Sequence, residues 1–352
     1  MRSSYLKEDV TLLLKDISGL VEPLDTKERE IRIQSGVHYC EMLPLEYKPT
    51  RKYIEIYEKM LPIFSGSTAE AVSTVSQKIW KKTAENTVLV SLARAGTPVG
   101  ILIKRYIRKK YGANVPHYSI SIIRGRGIDK NAMTYILARH LAGHIIFVDG
   151  WIGKGAILKE LRKELGQYPE IDPEIAVLAD PAYVTEMCGT HDDILIPSSC
   201  LNSTVSGLIS RTFLRSDIIG PNDFHGAAYY ENLAGEDRTY DFIRSVESKF
   251  LYDDTSGHEK DEPPSINGFD EVTKLAKNYK IENINFVKPG IGETTRVLLR
   301  RVPWKVLVNK TYADSVELRH IFQLAGEKNV PVEYIAMTHY KCCGLIKNMA
   351  DA

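Results

Sequence analysis

Short apolar runs alternate with amphipathic stretches through the first 250 residues of the chain. The apolar runs predict strands at 87–92, 118–123, 145–148 and 175–179. The stretches between them predict helices at 99–110, 129–142 and 155–165. This order of strand, loop and helix favours a parallel sheet with helices on both faces. Since ligands of such sheets bind at the carboxyl ends of the strands, the loops that follow the strands are the places to look for chemistry.

A second α/β unit follows near the C-terminus. The same patterns predict helices at 270–278, 293–301 and 316–328, with strands at 284–287, 305–308 and 332–335. Residues 253–269 are charged, contain a Pro-Pro pair and two glycines, and have little apolar content, which is typical of a linker. We therefore predict one domain over 1–252 with its core at about 30–230, a linker over 253–269, and a small α/β/α domain over 270–352.

Composition adds limits on function. Hydrophobic residues make up 43% and charged residues 26% of the chain, as in soluble globular proteins. Because 46 Lys and Arg face 45 Asp and Glu, any nucleic-acid site must be local, and residues 271–352 carry 13 basic against 8 acidic side chains. No apolar run approaches a membrane span, no signal peptide is recognisable, and the five cysteines are scattered. We expect a cytoplasmic protein with reduced thiols and no membrane partner.

The segment that follows the strand at 145–148 carries the clearest candidate chemistry. Asp149 ends the strand, and a turn with Gly150, Gly153, Lys154 and Gly155 leads into a helix that starts near Ala156. Free N–H groups at a helix start bind phosphate, and glycines allow the anion to approach. Asp149 could hold sugar hydroxyls, or a metal through a water or the ligand. The alternative is a tight strand-to-helix turn with a surface lysine.

Two further loops are predicted at the same edge of the sheet. In the first, Ser91, Arg94, Ala95 and Gly96 could offer backbone donors and a guanidinium to an anion, although a plain turn would look the same. In the second, Arg124 and Arg126 lie on a glycine frame that could close over a diphosphate or be a solvated loop tip. Together the three loops suit a polyphosphorylated sugar with Mg²⁺ sharing its phosphate oxygens.

Six stretches carry a resemblance to a known family: 33–44, 91–98, 117–129, 147–155, 189–197 and 201–211. They resemble the phosphoribosyltransferases of bacterial tellurite-resistance and stress-response clusters. The resemblance implies a type I phosphoribosyltransferase fold that uses phosphoribosyl diphosphate, Mg²⁺ and an unknown acceptor to make a nucleoside- or nucleotide-like product. It leaves the oligomeric state open, with a homodimer as one option. It makes Asp149, Arg124 and Arg126 the catalytic residues. The chain departs from the family by having Gly150 in place of a second acid and Lys154 in place of a threonine.

The polar region 189–211 leaves two interpretations open. Asn202, Ser203, Thr204 and Arg211 could line the acceptor side of the site, or Asn202 or Ser203 could simply cap a helix. Some members of the family are labelled cysteine proteases. A rival hypothesis is therefore a cysteine hydrolase in which Cys200 pairs with His191 or His225.

The C-terminal domain resembles the Pelota and ribosomal L7Ae-like RNA-binding domains. The resemblance rests on Gly290, Gly292, Glu293, Arg296 and Arg300, with Gly292 where the family has Asn. It implies contact with a structured RNA. The alternative is a helix N-terminus with a favourable Glu293 and a solvated basic face. A non-catalytic nucleotide- or RNA-binding regulator of a stress response is the third hypothesis for the whole chain.

Overall fold

The computed structural model describes residues 1–46, 48–253 and 266–348. Most of the predicted linker, residues 254–265, lies outside the described residues. Its last two positions, Gly268 and Phe269, belong to a helix, because the side chain of Asn267 accepts a hydrogen bond from the amide of Asp270 and caps the helix start.

The N-terminal part contains ten strands and six helices within the described residues. The strands are β1 (Thr11–Leu12), β2 (Lys15–Asp16), β3 (Val88–Leu92), β4 (His117–Ile120), β5 (Ile122–Ile123), β6 (Gly127–Ile128), β7 (Ile145–Val148), β8 (Ile175–Ala179), β9 (Cys188–Thr190) and β10 (Gly226–Ala227). The helices are α1 (Thr26–Gln34), α2 (Arg51–Thr83), α3 (Gly96–Tyr111), α4 (Lys130–Leu137), α5 (Ala156–Leu165) and α6 (Thr239–Glu247).

Six of these strands form a parallel sheet in the order β1-β4-β3-β7-β8-β9. Alternate side chains of each strand point to opposite faces. Leu89, Ile146 and Leu178 therefore join the core beneath α2, α3 and α6, while Val90 and Phe147 join the core beneath α4 and α5. The predicted parallel sheet flanked by helices is confirmed. The predicted strand at 118–123 divides in two, because β5 leaves the sheet to form a hairpin with β6.

Helix α2 has 33 residues and was not predicted from the pattern. It begins where the hydroxyl of Thr50 accepts a hydrogen bond from the amide of Tyr53. Its buried face mixes large residues such as Tyr57 and Phe64 with many serines, threonines and alanines. Because small polar residues dilute the apolar periodicity, the amphipathic signal of this helix is weak.

The C-terminal part is a four-stranded sheet in the order β11-β14-β12-β13 with three helices. Its elements are α7 (Gly268–Asn278), β11 (Val287–Pro289), α8 (Ile291–Arg300), β12 (Pro303–Asn309), α9 (Arg319–Glu327), β13 (Val332–Ile335) and β14 (Cys342–Ile346). The strand predicted at 284–287 is wrong, since Ile284–Phe286 form a 3-10 turn. Strand β14, which pairs antiparallel with β11 and β12, was missed.

The two parts share one apolar core. Buried side chains of α2, including Val72 and Val75, belong to the same cluster as Ile291 and Leu298 of α8 and Ile321 of α9. The C-terminal domain is therefore packed on the N-terminal domain rather than tethered to it. Among the helices that the structure describes, none combines the length and the apolar character needed to cross a membrane.

Candidate functional site

A cavity of about 340 Å³ lies at the carboxyl edge of the parallel sheet, between the two domains. One wall is the turn between β7 and α5 together with Tyr39, Arg124 and Arg211. The opposite wall comes from residues 283–301 of the C-terminal domain. Its volume is that of an ordinary small-molecule site. The cavity therefore lies where the sheet topology predicts a ligand, but the C-terminal domain forms half of it.

The turn after β7 lines this cavity as predicted. Asp149 accepts a hydrogen bond from the Gly150 amide at 2.8 Å, and burial raises the pKa of this carboxyl to about 6 in spite of that bond. Gly155 has φ +80°, a left-handed conformation that glycine adopts without strain, and it precedes the first turn of α5. The exposed amides of α5 and one carboxylate therefore face the same space.

Lys154 lies in the predicted phosphate-binding turn, but it is neither a surface lysine nor free of partners. Its ammonium donates to the carbonyl oxygens of Ile284 at 2.6 Å and Val287 at 3.0 Å, both in the C-terminal domain. Burial and the neighbouring charge of Lys288 lower the pKa of Lys154 to about 7. Lys154 lines the cavity, and it also ties the two domains together.

The two arginines of the predicted flexible loop lie in the turn of the β5–β6 hairpin, and their side chains point in different directions. Arg124 lines the cavity and donates to the side-chain oxygen of Asn285 at 2.8 Å. Arg126 instead points away and forms an ion pair with Glu41 at 2.8 Å, with half of its side chain exposed. Only Arg124 is placed to act on a ligand of the cavity.

The loop after β3 differs from the prediction. The hydroxyl of Ser91 is buried and lies 2.7 Å from Nε2 of His117, and Arg94 is held by Glu46 at 2.8 Å and by the carbonyl of Ile209. Both side chains are inside the fold, so neither reaches the cavity. Ala95 and Gly96 do lie beside the β7 turn: a Cβ on Gly96 would be only 2.4 Å from the Val148 oxygen.

The predicted acceptor-side residues are also divided. Arg211 lines the cavity and lies over the Tyr39 ring at 4.5 Å. Asn202 accepts from the guanidinium of Arg300, while Ser203 and Thr204 are buried. Arg211 is thus the one member of this group that faces the cavity.

The predicted RNA-binding segment faces the N-terminal domain. A Cβ on Gly292 would lie 2.3 Å from the Trp151 ring, and the guanidinium of Arg296 covers the same ring at 4.6 Å. Burial opposes ionisation of Glu293, but Lys288 at 3.5 Å and Arg296 at 3.0 Å hold its pKa at about 2. The amide after Gly290 is likewise bound by Asp193 at 3.0 Å. Contact of these residues with RNA stays a prediction, and it would require the domains to separate.

The five cysteines are all unpaired and buried. Burial raises the pKa of Cys200 to about 12, and the nearby Tyr53 hydroxyl donates to the backbone carbonyl of Cys200 rather than to its sulfur. Neither predicted histidine partner contacts Cys200: His225 lies 2.9 Å from the Ser121 hydroxyl and His191 contacts Cys188. The structure therefore does not bring together the predicted Cys200 pair.

A different thiol, Cys188, does meet an imidazole. Its Sγ lies 3.5 Å from Nε2 of His191, and Nδ1 of the same ring lies 2.9 Å from the backbone oxygen of Asp180 and 3.7 Å from its carboxylate. Tyr183 stacks on the imidazole at 4.1 Å. The thiol therefore contacts a base, and the base contacts a group that orients it, which is the arrangement found in cysteine nucleophile sites.

Parallel strand ends create this arrangement. Asp180 follows β8 and His191 follows β9, and these strands pair in parallel register, so the two residues lie together. Burial raises the pKa of Asp180 to about 6 and that of Cys188 to about 12. The only sequence signal was the three-residue spacing of Cys188 and His191, which has no meaning without the register.

A second thiol–imidazole contact joins Cys40 and His38. Nδ1 of His38 lies 3.0 Å from the sulfur, and Nε2 lies 3.1 Å from the Arg124 carbonyl oxygen. Within the described residues no carboxylate is bonded to this imidazole, and His38 also caps the 3-10 turn that begins at Tyr39. Its local role is therefore structural.

Sequence reasoning also missed Lys288, Arg301, Trp151 and Tyr39 as cavity residues. The basic cluster of the C-terminal domain was the available signal for the first two. Across residues 1–46, 48–253 and 266–348, no group of three or more His, Cys, Asp or Glu side chains is arranged to hold a metal. The predicted Mg²⁺ would thus have to be held largely by its own ligand, and it stays a prediction.

Residues 3–247 match the model of a family described as the tellurite-like stress resistance cysteine protease StiP. Residues 266–348 match the model of the PELOTA RNA binding domain. A curated relative from Acinetobacter baylyi (strain ATCC 33305 / BD413 / ADP1), named cysteine protease StiP, is 36% identical over 370 residues. That alignment covers 98% of this chain and 94% of the relative.

These matches correct the main functional hypothesis. Both the family description and the relative's name are those of a cysteine protease, so the predicted phosphoribosyltransferase activity and its transferase class are wrong. Binding of phosphoribosyl diphosphate by itself stays a prediction. The predicted stress-resistance family and the Pelota fusion are confirmed. The rival hypothesis of a cysteine hydrolase is the better supported of the two, although its predicted pairing of Cys200 is not formed.

Proposed function

Because the chain belongs to the StiP family of tellurite-like stress resistance cysteine proteases and ends in a Pelota domain, we propose that it is a thiol-dependent peptide hydrolase acting in stress resistance. One observation carries the choice of residues: Sγ of Cys188 lies 3.5 Å from Nε2 of His191, whose other nitrogen is oriented by Asp180. In the described residues, no other thiol has both an imidazole and a carboxylate behind it.

The chemistry follows from these contacts. The Cys188 thiol gives its proton to Nε2 of His191, and the thiolate adds to the carbonyl carbon of a peptide bond. His191 then returns the proton to the departing amine, which leaves a thioester on Cys188. Water hydrolyses the thioester, releasing the carboxylic acid and restoring the thiol. Asp180 keeps the proton on Nδ1 so that Nε2 can act as the base.

The proposal includes a local opening. Cys188 is 1% exposed and burial raises the pKa of its thiol, so the resting structure holds a protonated nucleophile. Tyr183, which stacks on His191, lies in the segment between β8 and β9. We propose that this segment moves when a substrate binds and gives access to the sulfur. A free thiol in this role also fits a reducing, cytoplasmic location.

The test is cleavage of a peptide library derived from a proteome, followed by mass spectrometry. We expect Cys188→Ala to abolish cleavage and His191→Ala to slow it by about 10²–10⁴-fold. The matched control is Cys200→Ala, an equally buried thiol without an imidazole, which should keep activity. Thermal melting of each variant separates lost folding from lost chemistry.

Two results would overturn this assignment. Undiminished cleavage by a folded Cys188→Ala variant would exclude Cys188 as the nucleophile. Loss of cleavage in a folded Cys200→Ala variant alone would return that role to the cysteine predicted from sequence.

A further inference from the structure

The interdomain cavity has a charge imbalance that neither the hydrolase chemistry nor the packing of the domains explains. Its lining includes seven cationic side chains and two carboxylates, Asp149 and Glu293. Three of the cations come from the N-terminal domain: Arg124, Lys154 and Arg211. Four come from the C-terminal domain: Lys288, Arg296, Arg300 and Arg301.

Four of these cations have no carboxylate within ion-pair distance in the part of the chain that the structure describes: Arg124, Lys154, Arg211 and Arg300. Arg124 and Arg300 donate only to asparagine side chains, and Lys154 donates only to backbone carbonyls. Arg211 has no hydrogen bond from its guanidinium in the described contacts and is held by its position over Tyr39. Partly buried charges without partners destabilise a fold, so their number here needs a reason.

Behind the lining, Arg29 and Arg94 are offset by the carboxylates of Glu30 and Glu46, so the positive surplus of the lining is not cancelled. Burial and the positive charges of Arg29, Arg94 and Arg301 together lower the pKa of Arg211 to about 10. Arg29 is 2% exposed, and its Nε and Nη2 atoms have no hydrogen-bond partner among the described residues. This part of the protein therefore has more hydrogen-bond donors than acceptors, and more positive than negative side chains.

The geometry points to a binding site for a small molecule that carries two or more linked phosphate groups. Planar guanidinium groups bind phosphate oxygens through paired donors, and the amides at the start of α5 add to the same field. The volume of about 340 Å³ suits a ligand of nucleotide size and is too small for a folded RNA. Tyr39, Trp151 and Phe286 supply the apolar remainder of the lining.

The orientation of the C-terminal domain supports this site. The sequence predicts that the surface around Lys288 and Arg296 binds nucleic acid. In the structure this surface forms a wall of the cavity and is not an open surface. A ligand would therefore contact both domains at once and would strengthen their association. The inference does not depend on Cys188, which is not among the residues that line the cavity.

Binding is measured by isothermal titration calorimetry on the full chain with ATP, inorganic tripolyphosphate and orthophosphate as probes. We expect ATP and tripolyphosphate to bind at least tenfold more tightly than orthophosphate, with an affinity that falls as salt rises. Tighter binding of ATP than of tripolyphosphate would indicate that the protein also contacts the base. Equal binding would indicate that it contacts the phosphates alone. Both results support the site.

Arg211→Gln is the decisive variant, and Arg126→Gln is its matched control on the exposed side of the neighbouring hairpin. Arg211→Gln should weaken tripolyphosphate binding at least tenfold while the melting temperature of the unligated protein stays unchanged or rises, because a repelled charge is removed. Arg126→Gln should bind as the wild type does. Absence of binding at millimolar tripolyphosphate, equal weakening by both variants, or binding of RNA alone would overturn the inference.

Discussion

Arg94 and Arg211 lie in the same cluster of arginines, yet the protein gives them opposite surroundings. Arg94 is 9% exposed and is closed off by Glu46 and the carbonyl of Ile209. Arg211 faces a cavity and has no carboxylate partner among the described residues. The carboxylates differ in the same way: the arginines around Glu46 hold its pKa below the usual value against the effect of burial, whereas burial raises that of Asp149.

This difference distinguishes a charge that stabilises the fold from a charge that can bind a ligand. Arg94 and Glu46 neutralise each other inside the fold, so their charges stabilise the fold and are not offered to a ligand, although one oxygen of Glu46 has no hydrogen-bond partner. Charges that stay unpaired beside a cavity cost stability in the free protein and become favourable when an anion arrives. The comparison predicts that changes on the Glu46 side destabilise the fold most and that changes on the cavity side destabilise it least.

The largest effect is expected from Glu46→Gln. This change leaves Arg94 as an uncompensated charge in a place where the side chains of the pair are only 7% and 3% exposed. Breaking a buried pair in this way costs about 3–5 kcal/mol of the free energy of unfolding. Urea denaturation measures the loss. Glu28→Gln, which removes an exposed pair with Arg32, should cost less than about 1 kcal/mol, and equal losses would contradict the comparison.

An intermediate loss of stability is expected at the contact between α8 and Trp151, where the two domains pack closely. Gly292→Ala places a methyl group 2.3 Å from the Trp151 ring, so the ring or α8 must move. Overpacking of this kind costs about 1–3 kcal/mol. Differential scanning calorimetry should record a lower melting temperature.

Gly326→Ala is the matched control for that change. Gly326 lies in α9, and an added Cβ there meets nothing within 4 Å. Since alanine favours a helix over glycine by up to about 1 kcal/mol, this variant should be slightly more stable. A gain of stability in both variants would show that Trp151 and α8 do not pack closely.

The parts of the fold that could be predicted from sequence are those with local signals. Strands β7 and β8 are continuous apolar runs, and their bounds agree with the prediction. Helix α2 was missed because serines and threonines occupy its buried face, where their hydroxyls bond to carbonyls one turn earlier, as that of Ser65 does to Leu61. Strand β14 was missed because its partners β11 and β12 are distant in sequence.

The site divides in the same way. Asp149 and Arg124 could be placed at one sheet edge because both follow strands. The burial of Ser91 against His117 could not be foreseen, since it depends on which face of β3 the side chain takes. The contact of Cys188 with His191 could not be foreseen either, because it depends on strand register. The wall that the C-terminal domain adds to the cavity could not be foreseen because domain packing is a long-range feature.

The last effect is a gain of stability rather than a loss: it is expected at Asp149, and it depends on pH. Burial raises the pKa of this carboxyl to about 6, so the folded protein binds a proton more readily than the unfolded chain, whose aspartates titrate near 3.9. Ionisation of Asp149 therefore opposes folding, and its contribution makes stability fall as pH rises from about 4 to 6. Asp149→Asn keeps an acceptor for the Gly150 amide and should remove that fall, making the variant more stable by up to about 3 kcal/mol above pH 6. Urea denaturation from pH 3.5 to 7.5 measures the difference, which must narrow towards pH 4, where the wild-type carboxyl is protonated. A constant difference would mean that folding does not shift the pKa of Asp149, and a difference of opposite sign would mean that Asp149 is held ionised as Glu46 is; either result would contradict the contrast between the two sides.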